Sequence, residues 1–149
     1  MVVRSVNGER LIPADEFFVG PLTTALETGE MLCDIRIPIK QSARSHIIEL
    51  STRTGDFALA GVAGQMVMAG GVVAEIGLVA FGVASTPLRL AEAEAVIRGQ
   101  APSSAILDEA AGLAISAVDD TFGDIHSDGA YRAAIVGEYS YRVLQEMTK

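Results

Sequence analysis

The side chains able to do chemistry are few. One cysteine, Cys33, and two histidines, His46 and His126, are all the chain offers as thiol or imidazole ligands. A structural zinc site or an iron–sulfur cluster needs more such ligands than this, so any redox centre must be organic or lie elsewhere. A lone cysteine closes no internal disulfide. Cys33 stands between Leu32 and Asp34 with no base beside it, and it reads as a small half-buried side chain. His126-Ser127-Asp128 holds the residue types of a hydrolytic triad, yet adjacent residues point in different directions and cannot form the relay. Serine and aspartate there suit a helix cap, with Ser127 as the capping residue. His46 opens a strand beside basic residues and reads as surface. The acidic pairs Asp119-Asp120 and Glu92 with Glu94 have no dyad spacing and read as solvated helix ends and faces. Gly70-Gly71 could bring backbone amides to a phosphate, but no helix follows to add its dipole, so the pair reads as turn chemistry.

These residues sit in a chain of 149, half of it apolar and a fifth charged. That is one domain's worth of sequence, with enough apolar content to pack without staples. Nineteen acidic against eleven basic residues give a net charge of -8. The balance argues against affinity for nucleic acid or anionic lipid. Met1 to Arg10 lacks the long apolar core of a signal peptide, so the expected address is cytoplasmic.

The segment most easily misread is Phe57 to Ala74, which carries no charge and continues to Ser85 interrupted only by Glu75. Its length suits a membrane span. Six glycines between Gly61 and Gly82 oppose a helix, each by about 0.8–1 kcal/mol against alanine. The reading is therefore a buried hairpin, with Phe57–Met68 and Val72–Val83 as strands and Ala69-Gly70-Gly71 as the turn. The small residues Ala58, Ala60, Gly61, Ala63 and Gly64 imply a helix close against one face.

Ahead of it, Leu11 to Asp15 and the alternating run Ile35 to Lys40 have strand character, the second demoted to an edge or strand end by Pro38. Gln41 to Ser45 is read as a linker, and His46 to Thr52 as the first strand of a three-stranded antiparallel meander. After Ser85 the period lengthens to about 3.6 and predicts three helices. Thr86 and Pro87 start the first and Gly99 ends it. Its apolar side is Leu90, Ala93, Val96 and Ile97. The second starts near Ser103 or Ser104 with the stripe Leu107, Ala110, Ala111, Ala114, Ile115 and Val118. A loop from Asp119 to Asp128 precedes the third, whose stripe is Ile135, Val136, Tyr139, Val143, Leu144 and Met147. Strands first and helices after predict an α+β fold with the helices on one face of the sheet.

Several runs, taken in order, resemble the medium subunit of molybdenum hydroxylases, the carbon monoxide dehydrogenase and xanthine dehydrogenase family. Arg10 to Gly20, Thr24-Ala25-Leu26, Glu30-Met31-Leu32 and Ile35-Arg36-Ile37-Pro38 are similar to the end of its FAD-binding domain. Arg53-Thr54-Gly55-Asp56-Phe57-Ala58, Gly82 to Arg89 with Ala91-Glu92 and Gly99, and Ser127 with Tyr131-Arg132 resemble its C-terminal domain. The resemblance implies a three-stranded antiparallel sheet packed on a three-helix bundle, with 1–40 as the end of the FAD-binding domain and 41–149 as the C-terminal domain.

It further implies electron transfer through FAD, from iron–sulfur clusters on a small subunit served by a molybdopterin large subunit, to an acceptor. The N-terminal FAD-binding half, with its phosphate-binding glycine loops, has no counterpart here. FAD binding is therefore expected only with a partner chain supplying that half. Carried over by position, Leu32 packs on the cofactor, while Ile47 and Glu49 fall where members commonly have an aromatic residue and a lysine. A carboxylate there opposes a ring that becomes anionic on reduction. The competing reading is a non-catalytic assembly or binding module that kept the fold and lost flavin binding. Tyr131 and Arg132 are read as packing or subunit contacts.

Overall fold

The computed structural model describes residues 1–119 and 122–149, so Asp120 of the acidic pair lies outside the described residues. The chain forms two compact units, Met1–Gln41 and Ser42–Lys149.

In the first unit, β1 (Val2–Ser5) and β2 (Gly8–Leu11) form a hairpin, followed by α1 (Ala14–Phe17), β3 (Phe18–Gly20), β4 (Thr23–Thr24) and β5 (Met31–Asp34). β1 lies between β2 and β5, both antiparallel to it. Val3, Ile12 and Phe17 form a small buried cluster with Leu32 against it. Across the outside, the Arg10 guanidinium donates two 2.7 Å bonds to the Glu30 carboxylate and one to the Ala25 carbonyl. Arg10 first, then the Glu27 N–H, hold the Glu30 carboxyl down at about 2. Two expectations fail here. Residues 12–15 are not strand, because β2 stops at Leu11 and a helical turn begins at Ala14. Ile35 to Lys40 is not strand either: β1 gives out at Val2, opposite Asp34, and leaves the run without a neighbour.

The second unit is a sheet covered on one face by helices. β6 (Ala43–Ser51), β7 (Ala58–Ala69), β8 (Val72–Phe81) and β9 (Leu88–Arg89) lie side by side in chain order, all antiparallel. The long apolar stretch is thus a hairpin, as its glycines predict. Gly70 and Gly71 form its two-residue turn with φ of 58° and 82°, the positive pair that this tight turn requires and glycine adopts freely. β6 begins at Ala43, inside the expected linker, because Ala43, Arg44 and Ser45 find partners in Val67, Met66 and Gln65.

The helices are α2 (Ala91–Ile97), α3 (Ser104–Ser116) and α4 (Gly129–Thr148). α4 packs on β6 and β7, α2 on β8, and α3 against both. Ser103 caps α3 as expected, accepting from the Ile106 N–H at 3.4 Å. Thr86 and Pro87 do not start α2. Leu88 and Arg89 pair with β8 first, and the helix begins only at Ala91. Asp128 rather than Ser127 caps α4, taking the Tyr131 N–H at 2.7 Å. Glu94 is not solvated but 2% exposed. Its carboxylate accepts the Leu78 N–H at 2.9 Å, beside the end of short β9, and is flanked by Arg89 and Arg98. A backbone donor otherwise left unpaired explains the burial.

Inward residues of the strands, Ala60, Val62, Met66, Ile76, Leu78 and Ala80, meet Leu90, Ala93 and Ile97 of the α2 region and Val136, Val143, Leu144 and Met147 of α4 in one core. The helix implied by the small residues is α4. A Cβ on Gly64 would stand 2.7–2.9 Å from Val143, Met147 and Leu78, closer than packed atoms tolerate. Gly64→Val is expected to destabilise the second unit by about 1–3 kcal/mol, measured as a lowered urea midpoint with an unchanged slope. An unchanged midpoint would show that α4 can back away from the sheet without cost.

Candidate functional site

The sheet of the second unit has a second face, turned away from the helices. Alternation along β6 places Ile48 and Leu50 against the core and Ile47 and Glu49 on this outer face. The register then sets Ile47 beside Ala63, and Ala63 beside Val79. One step along, Glu49 lies beside Gly61, and Gly61 beside Phe81, whose ring occupies the space a side chain at 61 would need. Ile47 is 61% exposed. The face is therefore a shallow apolar strip of Ile47, Ala63, Val79 and Phe81, with one carboxylate at its β6 edge. Leu32 belongs to the first unit, on β5 opposite Val3, half-buried against the Val3, Ile12 and Phe17 cluster. The structure thus brings Ile47 and Glu49 together, two positions apart on one strand, and places Leu32 in the other unit.

At the end of the same sheet, the turn from Thr52 to Phe57 and the loop from Phe122 to Asp128 border a cleft of about 510 Å³, lined by Arg53, Asp56, Phe57, Asp124, His126 and Arg132. Arg132 forms its floor. It is 4% exposed, donates to the carbonyls of Leu59 and Gly82 at 2.7 and 2.5 Å, and meets Asp124 at 2.6 Å. The Phe122 ring lies 5.8 Å from the guanidinium, within cation–π range. One side chain from α4 therefore fastens β7, the turn that leaves β8 and the loop ahead of its own helix. Asp124 also accepts the backbone N–H groups of His126 and Ser127. The His126 N–H foremost, with Arg132 and the Ser127 N–H, holds the Asp124 carboxyl below its ordinary range.

His126-Ser127-Asp128 is thus loop and cap. Its serine Oγ is buried without a partner among the described residues, and its aspartate is spent on the Tyr131 N–H. Arg132 is a packing residue, as expected, although nothing in its spacing announced the Asp124 partner eight positions earlier. Cys33 is half-buried. Among the described residues no group of three or more His, Cys, Asp or Glu could hold a metal ion, and no helix is long and apolar enough to cross a membrane.

The CO dehydrogenase flavoprotein C-terminal domain matches residues 46–147. The chain belongs to that family. Individual relatives extend the likeness to both units. The carbon monoxide dehydrogenase medium chain of Hydrogenophaga pseudoflava is 34% identical over 96% of this chain and 50% of its own length. The nicotine 6-hydroxylase medium subunit of Paenarthrobacter nicotinovorans is 33% identical over 97% and 50%. Among solved structures, carbon monoxide dehydrogenase from Hydrogenophaga pseudoflava superposes with a TM-score of 0.92 at 35% identity, covering 98% of this chain and 51% of that one. Quinoline 2-oxidoreductase from Pseudomonas putida 86 gives 0.90 at 26% identity, covering 99% and 51%. This CO dehydrogenase flavoprotein C-terminal domain chain spans about half the length of the relatives it matches.

Whether its residues suit FAD divides by part of the cofactor. The Ile47–Phe81 strip offers an apolar surface that one side of a flat ring could meet. The pyrophosphate finds no cradle among the described residues: Gly70-Gly71 joins strand to strand, and no helix N-terminus follows it. The residues present do not by themselves fit the whole group.

Two outcomes follow for the cleft. Arg132→Met leaves the Leu59 and Gly82 carbonyls without their donor and is expected to cost about 2–4 kcal/mol, read by urea denaturation; a loss under half a kcal/mol would refute the anchor. The lowered Asp124 group contributes stability that is complete above the unfolded carboxylate's value, about 4, and is lost as pH falls through its folded value. Asp124→Asn should flatten the fall of stability with acid in that range. An unchanged pH slope would show that Asp124 is not coupled to folding.

Proposed function

We propose that this chain acts as the C-terminal part of a medium, FAD-containing subunit of a molybdenum hydroxylase, contributing to electron transfer from iron–sulfur clusters to an acceptor once assembled. In this reading residues 1–40 are the end of the FAD-binding domain and 41–149 the C-terminal domain. On the same reading the N-terminal half of such a medium chain, which this sequence does not span, holds the pyrophosphate, a molybdopterin large subunit and an iron–sulfur small subunit are partners, and the assembly works in the cytoplasm. The observation that supports it most is the match across both units to medium chains of twice this length.

Within that reading Leu32, Ile47 and Glu49 are the residues of this chain that face the flavin. Ile47 supplies aliphatic contact, and Glu49 places a negative charge at the edge of the apolar strip. FAD, when bound, would carry the electrons; these residues position its ring and set the charge around it. The experiment joins this chain to the half of the Hydrogenophaga pseudoflava medium chain that it does not span, and compares flavin content with that of the chain alone. The fused protein should retain one flavin per molecule and the chain alone far less than one. Stoichiometric flavin on the isolated chain, or none on the fused protein, would sink the reading.

Glu49 and Ile47 favour a second reading, an assembly module without a working flavin site. In the fused protein, Glu49→Lys should raise the midpoint potential of the bound flavin, since a cation favours a ring that becomes anionic on reduction. A potential unmoved by that change and by Ile47→Tyr would support the module.

A further inference from the structure

On the outer face of the second unit, Glu49, Gly61 and Phe81 stand side by side in one row across β6, β7 and β8, and Ile47, Ala63 and Val79 form the next row. Phe81 closes β8, and the four strands of this sheet carry no other phenylalanine, tyrosine or tryptophan. Its ring does not stand out into solvent. A Cβ on Gly61 would lie 2.5 and 2.9 Å from Cε2 and Cε1 of that ring, and nearer still to Cζ, so the tip of Phe81 leans across β7 toward β6. Glycine weakens a strand interior and marks a close approach; what approaches Gly61 is this ring. The positive edge of an aromatic ring is thereby turned toward the strand that holds Glu49, the residue opposite Gly61 on its other side. Beyond the second row, Gln65 donates to the Ser45 Oγ at 3.4 Å. Between that polar pair and the leaning ring, Ala63 is the low ground of the face.

We propose that Phe81 is an aromatic contact for the flavin ring, which rests one side on Phe81 together with Ile47, Ala63 and Val79. The proposal rests on the medium-chain reading above and adds to it a residue that no motif marks. Three features carry it. The face fits this part of the cofactor, though not its pyrophosphate. A flat ring needs a flat apolar surface, and a phenyl ring laid over a glycine beside an alanine gives one with no branched side chain rising between them. Phe81 is also half-buried, so part of its ring is spent on the backbone of β7 and the rest is open to a ligand. Lastly, Ile47 offers aliphatic contact alone, whereas offset-stacked and edge-to-face packing is worth more than the area it buries, and in this sheet Phe81 is the residue that supplies it. The same lean tempers the charge of Glu49 at the rim of the face, because the ring edge directed at β6 is its electropositive part.

The test uses the fused protein described above. Phe81→Leu keeps an apolar side chain and removes the ring. Gly61→Ala keeps the ring and drives its tip, the end free to swing, off β7. Each should raise the dissociation constant for flavin about tenfold with the far-UV circular dichroism unchanged. Phe81→Trp sets an electron-rich indole at the same place and should give a long-wavelength charge-transfer band with oxidised flavin, a signature that mere cover for Gly61 does not produce. Ala105→Trp, exposed on α3 in the helical layer behind the sheet, should give no band. Flavin held at the original affinity by the Phe81→Leu and Gly61→Ala variants, with no band from Phe81→Trp, would overturn the contact and leave the medium-chain reading standing. Weakened binding without the band would assign Phe81 to the support of Gly61 and overturn the contact likewise. A fused protein that takes up no flavin at all would overturn the medium-chain reading, and the contact with it.

Discussion

The second unit depends on the contact between α4 and the hairpin at Gly64. With no side chain at that position, Val143 and Met147 reach the sheet and meet Leu78 directly. The same economy recurs one layer out, where Ile115 of α3 fills the space that a side chain at Gly137 of α4 would take. Glycines at both seams let the helices approach the sheet and each other closely, and contact of that kind decides how much burial is worth. Arg132 works from the same helix at the other end of the sheet, supplying a charged donor to the Leu59 carbonyl of β7 and to that of Gly82, just past the end of β8. α4 thus fixes the sheet by apolar contact along its length and by hydrogen bonds near its start.

Much of this architecture was legible in the sequence, for reasons that differ by element. The hairpin declared itself because Gly70-Gly71 permits the two positive φ values of a tight turn and the flanks are β-branched or small. Helices α3 and α4 declared themselves by period. What escaped was decided by pairing at a distance. Thr86-Pro87 has the chemistry of a helix start, yet Leu88 and Arg89 gain more from β8, and local preference yields to the ladder. Glu94 reads as solvated from its neighbours alone, because the demand for it comes from the Leu78 amide, sixteen residues away. The strand reading of Ile35 to Lys40 followed a correct alternation but assumed a neighbour that β1 does not provide.

The candidate site was legible only in part, and the reason is chemical. Ile47 and Glu49 carry no signature of their own, and their place on an open sheet face follows from a register that no local pattern encodes. Resemblance alone singled them out. The Arg132–Asp124 anchor was hidden for the opposite reason. A buried arginine and its carboxylate look like any surface pair until the Leu59 and Gly82 carbonyls come into view.

The reach of α4 back to the start of the sheet bears on how the polypeptide is made. Arg44, near the beginning of β6, donates to the Met147 carbonyl at 3.3 Å across 103 positions of sequence, and α4 follows every other element of its unit. During synthesis the part of the hairpin's apolar side that α4 covers, on β7, therefore stays open until those 20 helical residues have left the ribosome. A nascent chain in that condition is a substrate for holding chaperones and for wrong association between neighbouring ribosomes.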